Sequence, residues 1–441
     1  MIYYLQTIKN TLQKNNIRTF LNFYSIPSIA TLFIWWVKNA RNRSADTDFF
    51  PLLFNKFHLF SDWKVTVLLS ELNNPWQFIG SKWEGILPPS FYGPSTYGFI
   101  KIFNSLPLLG SYSKNQNNLV IDTFHHAIFL SLALATCYVT LRIFSKNLTI
   151  NRKDILFTEN KFNIYLIGIF FSFPILYAAQ RGSSSIFAAL MVSLSAMYLG
   201  EKKYLKMTIF IAIAATSQFQ LIPLTAVLFL PRIFKYGKYG IAYISLNYFF
   251  VIYLTSYKSL LATYKLNKSL FIRVTDYSHD LQSGIINLEY LNSKFPFLYL
   301  FIGILLIIFI FYLIKSKKNN QNIIQKSFES NNFDFTQYVA SKIFFLAISS
   351  SLLLANPSFD YHLVRLIPAF ALLIVLNESI ISKLSIASFA VTISYLRLWG
   401  FLYSKDLAVP IRTICIILIS IEVIFNLLTL LKDKQLTKAK T

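Results

Sequence analysis

The sequence predicts an all-α, polytopic membrane protein, and three observations lead to this prediction. The chain of 441 residues is 55% hydrophobic and only 14% charged, with a mean hydropathy of +0.50. Its apolar runs are too long and too frequent for a soluble core. The net charge of +23 comes from basic residues clustered between these runs, which is typical of loops facing anionic lipid headgroups. We expect membrane lipids, not nucleic acid, as partners.

The apolar runs predict about ten transmembrane helices in a single domain over residues 1–441. The candidate spans are 21–37, 119–141, 162–179, 184–199, 240–256, 296–314, 339–355, 363–377, 384–400 and 408–431. Each is near the length that a bilayer requires. The first follows a basic tail and has no small-residue cleavage site, which indicates a retained signal-anchor. Alternation from a cytoplasmic N-terminus then satisfies the positive-inside rule.

One apolar segment does not fit a single crossing. Residues 207–231 are interrupted by Ser217–Gln220 and by Pro223, and basic residues flank both ends. A single span would place one of these basic groups outside. We therefore predict a broken, re-entrant hairpin whose polar apex lies inside the protein or lines a cavity; the alternative is one kinked helix.

Three connecting segments are long. The first extracytoplasmic loop, 38–118, has amphipathic stretches and a turn at Tyr92–Ser95 before an apolar stretch that predicts an interfacial helix. The second extracytoplasmic loop is 257–295, and a cytoplasmic connector covers 315–337. No spacing of ligating residues matches a metal template, so no cofactor is predicted and any metal requirement stays open.

A polar island, Asn356–Arg365, separates two apolar runs. His362 and Arg365 are three residues apart and would share one face of a helix beginning near Asp360. The positive end of that helix, with these two side chains, predicts a phosphate site at the membrane surface.

Two further polar segments are predicted at the extracytoplasmic ends of spans, on the same side of the membrane as the polar island. Asp46 and Asp48 form a D-x-D pair just after the first span, and a partly buried carboxylate there can serve as a general base. Arg181 begins a short Gly-Ser segment between two spans and is a candidate phosphate ligand. The alternatives are a helix cap for the acidic pair and a tight turn with a snorkelling arginine.

These segments are all predicted to reach one face of the membrane, with the hairpin apex approaching it from below. On this prediction Asp48 and Asp46 are catalytic, and the donor phosphate contacts Arg181, His362 and Arg365. The substrate pocket is completed by Tyr92, Gln218, Gln220 and Tyr361.

The ordered motifs resemble those of C-type (GT-C) membrane glycosyltransferases, most closely glycosyltransferase family 87, whose relatives include polyprenyl-phosphate-mannose-dependent mannosyltransferases. The resemblance covers residues 20–400 and includes Asp48-Phe49, Tyr92–Pro94, Arg181-Gly182, Ser217–Pro223 and Asn356–Arg365. The chain departs from the family pattern at Ser183, where an amide residue is common, and in the hairpin, where Gln218 or Gln220 replaces a lysine.

The resemblance implies a plasma-membrane hexosyltransferase of the cell envelope with an extracytoplasmic active site. It would move a sugar from a polyprenyl-phosphate donor to a lipid or glycan acceptor with inversion, and Asp48 would be the base. One alternative is an O-antigen polymerase or ligase, which would depend on arginines and histidine more than on a first-loop carboxylate. Another is a transporter or flippase, which would be expected to show inverted repeats.

Overall fold

A computed structural model of the chain describes residues 17–30, 33, 67, 70, 76, 92–104, 119–147, 159–180, 182–255, 335–353, 360–376 and 414–428. The α-helices are α1 (17–30), α2 (Pro94–Asn104), α3 (Leu119–Asn147), α4 (Glu159–Phe170), α5 (Phe173–Gln180), α6 (Ser184–Gly200), α7 (Tyr204–Ser217), α8 (Pro231–Thr255), α9 (Phe335–Leu353), α10 (Leu366–Leu376) and α11 (Ile414–Leu428). Two 3-10 helices are η1 (Phe219–Phe229) and η2 (Asp360–Arg365).

The regular elements of this described part are all helical, so the prediction of an all-α fold is confirmed there. Among the residues that the structure describes, one helical window, Ala127–Phe144 in α3, is long and apolar enough to cross a membrane, and several shorter apolar helices accompany it. The predicted spans 296–314 and 384–400, the loop 257–295 and nearly all of the connector 315–337 lie outside the described residues.

Helix α10 lies at the centre of the core. It is apolar on every side, and a helix with no polar face is stable only when it is surrounded. The Phe370 ring lies 5.4 Å from that of Phe20 in α1 and 5.8 Å from that of Phe345 in α9. Phe20 in turn packs 5.8 Å from Phe144 of α3. These four aromatic rings join α1, α3 and α9 around α10.

The predicted span 162–179 is two helices, α4 and α5, separated at Phe171–Ser172. Pro174 explains the break, because it has no N–H and its ring clashes with the carbonyl of Phe170 in a continuous helix. The break places the Ser172 hydroxyl where it accepts a 2.8 Å hydrogen bond from Tyr24 of α1. Prediction of one unbroken helix here was therefore wrong.

Residues 207–231 have the predicted hairpin shape, with α7 and η1 as antiparallel arms. A Cβ added at Gly240 of α8 would lie 2.6 Å from Thr208 near the start of α7 and 3.2 Å from Leu228 near the end of η1. At the other end, the Tyr248 hydroxyl of α8 donates to the Ala215 carbonyl. Helix α8 therefore runs beside both arms, and the hairpin apex lies between Ser217 and Phe219.

Helix α8 begins at Pro231, nine residues before the predicted start of that span. Proline suits the first helical position because its missing N–H would have no helical partner there. Arg232, Lys235 and Lys238 are exposed while Ile233 and Gly237 are buried. The basic residues thus form the outer face of an amphipathic first segment, which an apolar-run criterion misses.

A buried cation and a buried anion connect α9 to α11. Lys342 is 1% exposed, and its Nζ lies 4.3 Å from the centre of the Tyr338 ring. Glu422 is 3% exposed and interacts electrostatically with Lys342. Neither residue had a partner that the sequence alone identifies. The two side chains therefore lie within electrostatic range of one another across the bundle.

Replacement of Glu422 with leucine should therefore destabilise the protein, because it leaves the Lys342 ammonium buried without this opposite charge. A loss of roughly 0.5–3 kcal/mol is expected, the usual range for a single substitution. Thermal unfolding of the purified protein in detergent measures it. The double variant K342M/E422L should recover most of the loss, and an E422L protein as stable as the parent would contradict the pairing.

Candidate functional site

The candidate site begins at the turn between α5 and α6. Gly182 has φ of 61°, its N–H donates to the Ala179 carbonyl at 3.1 Å, and the Ser183 N–H donates to the Ala178 carbonyl at 2.9 Å. This is the Schellman pattern that ends a helix with a glycine in the left-handed region. Ser183 then caps α6 by accepting from the Ser185 N–H at 3.3 Å. Gly182 is explained by the turn itself, without a bound ligand.

The hairpin apex is polar and buried. Thr216 and Ser217 donate their hydroxyl hydrogens to the carbonyls of Ala212 and Ala214, each at 2.7 Å. Such bonds compete with regular helix geometry, and α7 ends where Gln218 becomes extended with φ of −142° and ψ of 124°. Gln218 is only 3% exposed. The helix therefore stops inside the protein and presents a buried amide.

Helix α2 packs against the hairpin apex through the Ser217 carbonyl oxygen. At the end of a regular helix this oxygen would have no partner within the helix. The Gly93 N–H and the Thr96 hydroxyl both donate to it, each at 2.7 Å. The hydroxyls of Ser95 and Thr216 lie 2.6 Å apart and share a further hydrogen bond. These bonds satisfy backbone groups that the break at the apex would otherwise leave unpaired.

Tyr92 lies beside Gln218 in an isolated antiparallel bridge. The Tyr92 carbonyl accepts from Trp76 Nε1 at 3.0 Å, and the Trp76 ring packs edge-on against Tyr97 at 5.4 Å between centroids. Tyr92 thus contributes to the site through its main chain, which holds the backbone of Gln218 from one side.

Gly93→Ala should weaken this docking, because the added Cβ would lie 2.1 Å from the Thr216 carbonyl oxygen. Backbone atoms cannot move aside without a substantial energetic cost, so we expect the free energy of unfolding to fall by about 1–3 kcal/mol. Gly98→Ala is the matched control, since nothing lies within 4 Å of a Cβ added at that position and alanine gains about 0.5–1 kcal/mol in a helix. Melting temperatures that move equally in the two variants would contradict the contact.

Arg365 enters the site from the junction of η2 and α10. Its side chain is 0% exposed. Nη1 donates to Gln220 Oε1 and Nη2 donates to Ser185 Oγ, each at 2.9 Å. The predicted position of this arginine at the membrane surface stays a prediction. Within the protein the guanidinium is buried, and oxygen atoms of the hairpin and of α6 accept its hydrogen bonds.

Gln218 reaches the same serines from the apex. Its Nε2 donates to Ser184 Oγ at 2.9 Å and to Ser185 Oγ at 3.3 Å. Ser185 therefore joins Gln218 to Arg365. We call the five residues Ser184, Ser185, Gln218, Gln220 and Arg365 the apex cluster.

The apex cluster combines charged and neutral hydrogen-bonding side chains. It contains one guanidinium cation, two amides and two hydroxyls, and none of its five members is acidic. Arg365 has no exposed surface and Gln218 almost none, whereas Gln220 is half-buried, so a ligand that contacts Arg365 or Gln218 requires the cluster to open. Within the described ranges no group of His, Cys, Asp and Glu is suited to hold a metal ion.

The structure thus brings together three predicted site residues, Gln218, Gln220 and Arg365, with Tyr92 alongside. Tyr361 and His362 belong to η2. The helix predicted to begin near Asp360 does begin there, as a 3-10 helix of 6 residues that continues directly into α10. Asp46, Asp48 and Arg181 lie outside the described residues.

Sequence reasoning did not single out Ser184 and Ser185 as ligands of specific side chains, nor Trp76 and Tyr248 as supports of the apex. The two serines follow a helix cap, where hydroxyl residues are common, so their presence in the sequence did not indicate that they bind Gln218 and Arg365. Comparison of the chain with protein-family models, curated proteins and solved structures found no match.

Proposed function

We propose that the chain is a polytopic membrane glycosyltransferase of the GT-C type that uses a polyprenyl-phosphate sugar donor at the extracytoplasmic face. The apex cluster is its donor site. The proposal joins the resemblance of the ordered motifs to the chemistry of the cluster.

Membrane insertion is supported by the outer surface of α8. Tyr239, Phe249 and Tyr253 are 63%, 62% and 75% exposed, and neighbouring apolar residues of the same helix are also exposed. Soluble proteins seldom expose large contiguous apolar surfaces, whereas lipid contact accounts for them.

The proposed orientation follows from the basic ends of the hairpin. Lys202, Lys203 and Lys206 at the start of α7 and the basic face at the start of α8 lie at the end of the hairpin opposite the apex. The positive-inside rule assigns that basic end to the cytoplasm. The apex cluster then belongs to the extracytoplasmic half.

The observation that carries the proposal is the buried Arg365 guanidinium, which donates to Gln220 of the hairpin and to Ser185 of α6. A phosphate oxygen is a stronger acceptor than an amide or hydroxyl oxygen, so a bound donor would exchange one of these partners for phosphate. The same charge would stabilise the polyprenyl phosphate as it leaves.

The proposed transfer needs one base and one leaving group. Asp48 takes the proton of the acceptor hydroxyl, whose oxygen forms a bond to the anomeric carbon. The bond from that carbon to phosphate oxygen breaks on the opposite face, and its electron pair leaves with the polyprenyl phosphate. Arg365, with Arg181 and His362, holds this phosphate. Attack opposite the leaving group inverts the configuration.

Mass spectrometry of lipid-linked products tests the proposal. Purified protein in nanodiscs is incubated with a panel of polyprenyl-phosphate hexoses and pentoses and with an envelope lipid extract as acceptor. We expect a new glycosylated product from at least one donor. Movement of a donor across sealed vesicles with no covalent product would instead identify a transporter or flippase.

A further inference from the structure

We infer that Gln218 recognises a hydroxyl group of the transferred sugar, namely the one on the carbon next to the anomeric carbon. This inference rests on the proposed function for the identity of the ligand. Its structural basis is the side-chain amide at the hairpin apex, whose two polar atoms have different surroundings.

One atom of the amide is fixed by the protein. Nε2 donates to Ser184 and Ser185, and the main chain of Gln218 is held by the bridge to Tyr92. The side chain is therefore attached at both ends, and the position of the second amide atom is set without a ligand.

The second atom has no such partner. Oε1 of Gln218 is buried, and no residue in the described part of the chain donates a hydrogen bond to it. Buried polar atoms are nearly always hydrogen-bonded, and each exception requires an explanation. A ligand group that completes the hydrogen bond explains an acceptor held in place at a buried helix break.

The chemistry of the missing partner follows from the amide. In the orientation described, a phosphate oxygen without a proton cannot donate to Oε1. Rotation of the amide by half a turn would place Nε2 there and let Oε1 accept from the serines. A hydroxyl both donates and accepts, and it therefore satisfies either orientation.

The position of Gln218 indicates which hydroxyl it contacts. Ser185 Oγ accepts from both Gln218 Nε2 and Arg365 Nη2, so the amide is one side chain away from the proposed phosphate ligand. In a sugar phosphate the hydroxyl nearest the phosphate is the one on the neighbouring carbon. Arg365 would hold the phosphate and Gln218 that hydroxyl.

A chemical and mutational cycle tests the inference. Binding to purified protein in nanodiscs is measured by native mass spectrometry for the best polyprenyl-phosphate sugar and for its 2-deoxy analogue. The parent protein should bind the deoxy compound roughly 10- to 100-fold more weakly, because the analogue leaves the amide unpaired. In Gln218→Met the two donors should differ by less than about threefold.

Gln337→Met is the matched control. Gln337 is also a buried glutamine, but its amide donates to the carbonyls of Leu199 and Gly200 at the far end of α6. Replacement of Gln337 should leave the ratio of the affinities for the two donors at the parent value, even if the protein becomes less stable. Gln218→Glu, which keeps an acceptor at the same position, should retain more discrimination than Gln218→Met.

The outcomes separate this inference from the proposed function. If Gln218→Met and the parent discriminate equally between the sugar donor and its 2-deoxy analogue, the proposed role of Gln218 is overturned and the proposed transferase activity is unaffected. Discrimination that depends on Gln218 without any glycosylated product would support sugar recognition and overturn the transferase. Absence of binding for every sugar donor would overturn both.

Discussion

Arg365→Met should lower sugar transfer by about 10²- to 10³-fold, the loss typical of removing one group that stabilises a developing negative charge. Arg365 supplies the only formal charge of the apex cluster, and its guanidinium spans Gln220 of the hairpin and Ser185 of α6. Arg365→Lys should restore part of the activity, because lysine keeps the charge but cannot make two directed contacts at once.

Loss of folding must be separated from loss of chemistry, because the same change removes the buried hydrogen bonds from Arg365 to Gln220 and Ser185. Arg142→Met is the matched control, since Arg142 packs 5.8 Å from the Tyr138 ring on α3, outside the cluster. Rates are compared among variants that elute as one species and show a cooperative melt. Parent-like transfer by folded Arg365→Met would remove Arg365 from the donor site.

Asp48→Asn should reduce transfer to below roughly 1% of the parent rate, because the amide cannot accept the proton of the attacking hydroxyl. General-base catalysis typically contributes about 10²- to 10⁴-fold. Asp46→Asn should have a much smaller effect. Product formation is measured in single-turnover reactions, so that slow product release does not mask the chemical step.

A double variant gives an independent check on Asp48. An Asp46 and Asp48 double alanine variant that keeps full activity would contradict the assignment and favour a polymerase or ligase that depends on arginines.

The hairpin could be predicted from sequence because the charged and polar residues of this segment are incompatible with a single membrane crossing. Basic residues at both ends of 207–231 and the polar Ser217–Gln220 interruption leave few arrangements that keep charges out of hydrocarbon. The proximity of Gln218, Gln220 and Arg365 followed from that reasoning, since each lies where an apolar run is interrupted.

Other features depend on three-dimensional packing that residue patterns do not encode. Burial of Arg365 requires that Ser185 and Gln220 meet from separate elements. The break before Pro174 was signalled by a proline, but an apolar run on both sides favoured one helix. Gly182 clearly indicated a turn. It could not show which kind of turn, because a Schellman turn and a ligand-binding loop both use the ability of glycine to adopt a positive φ.

Photo-cross-linking with a polyprenyl-phosphate sugar that carries a diazirine on the sugar tests the central claim most directly, because it locates the donor without requiring turnover. Peptide mapping of the labelled protein should place saturable cross-links in residues 183–187, 216–222 and 360–368, and excess unlabelled donor should suppress them. Saturable labelling that falls entirely on other segments, such as the exposed face of α8, would contradict the apex cluster as the donor site.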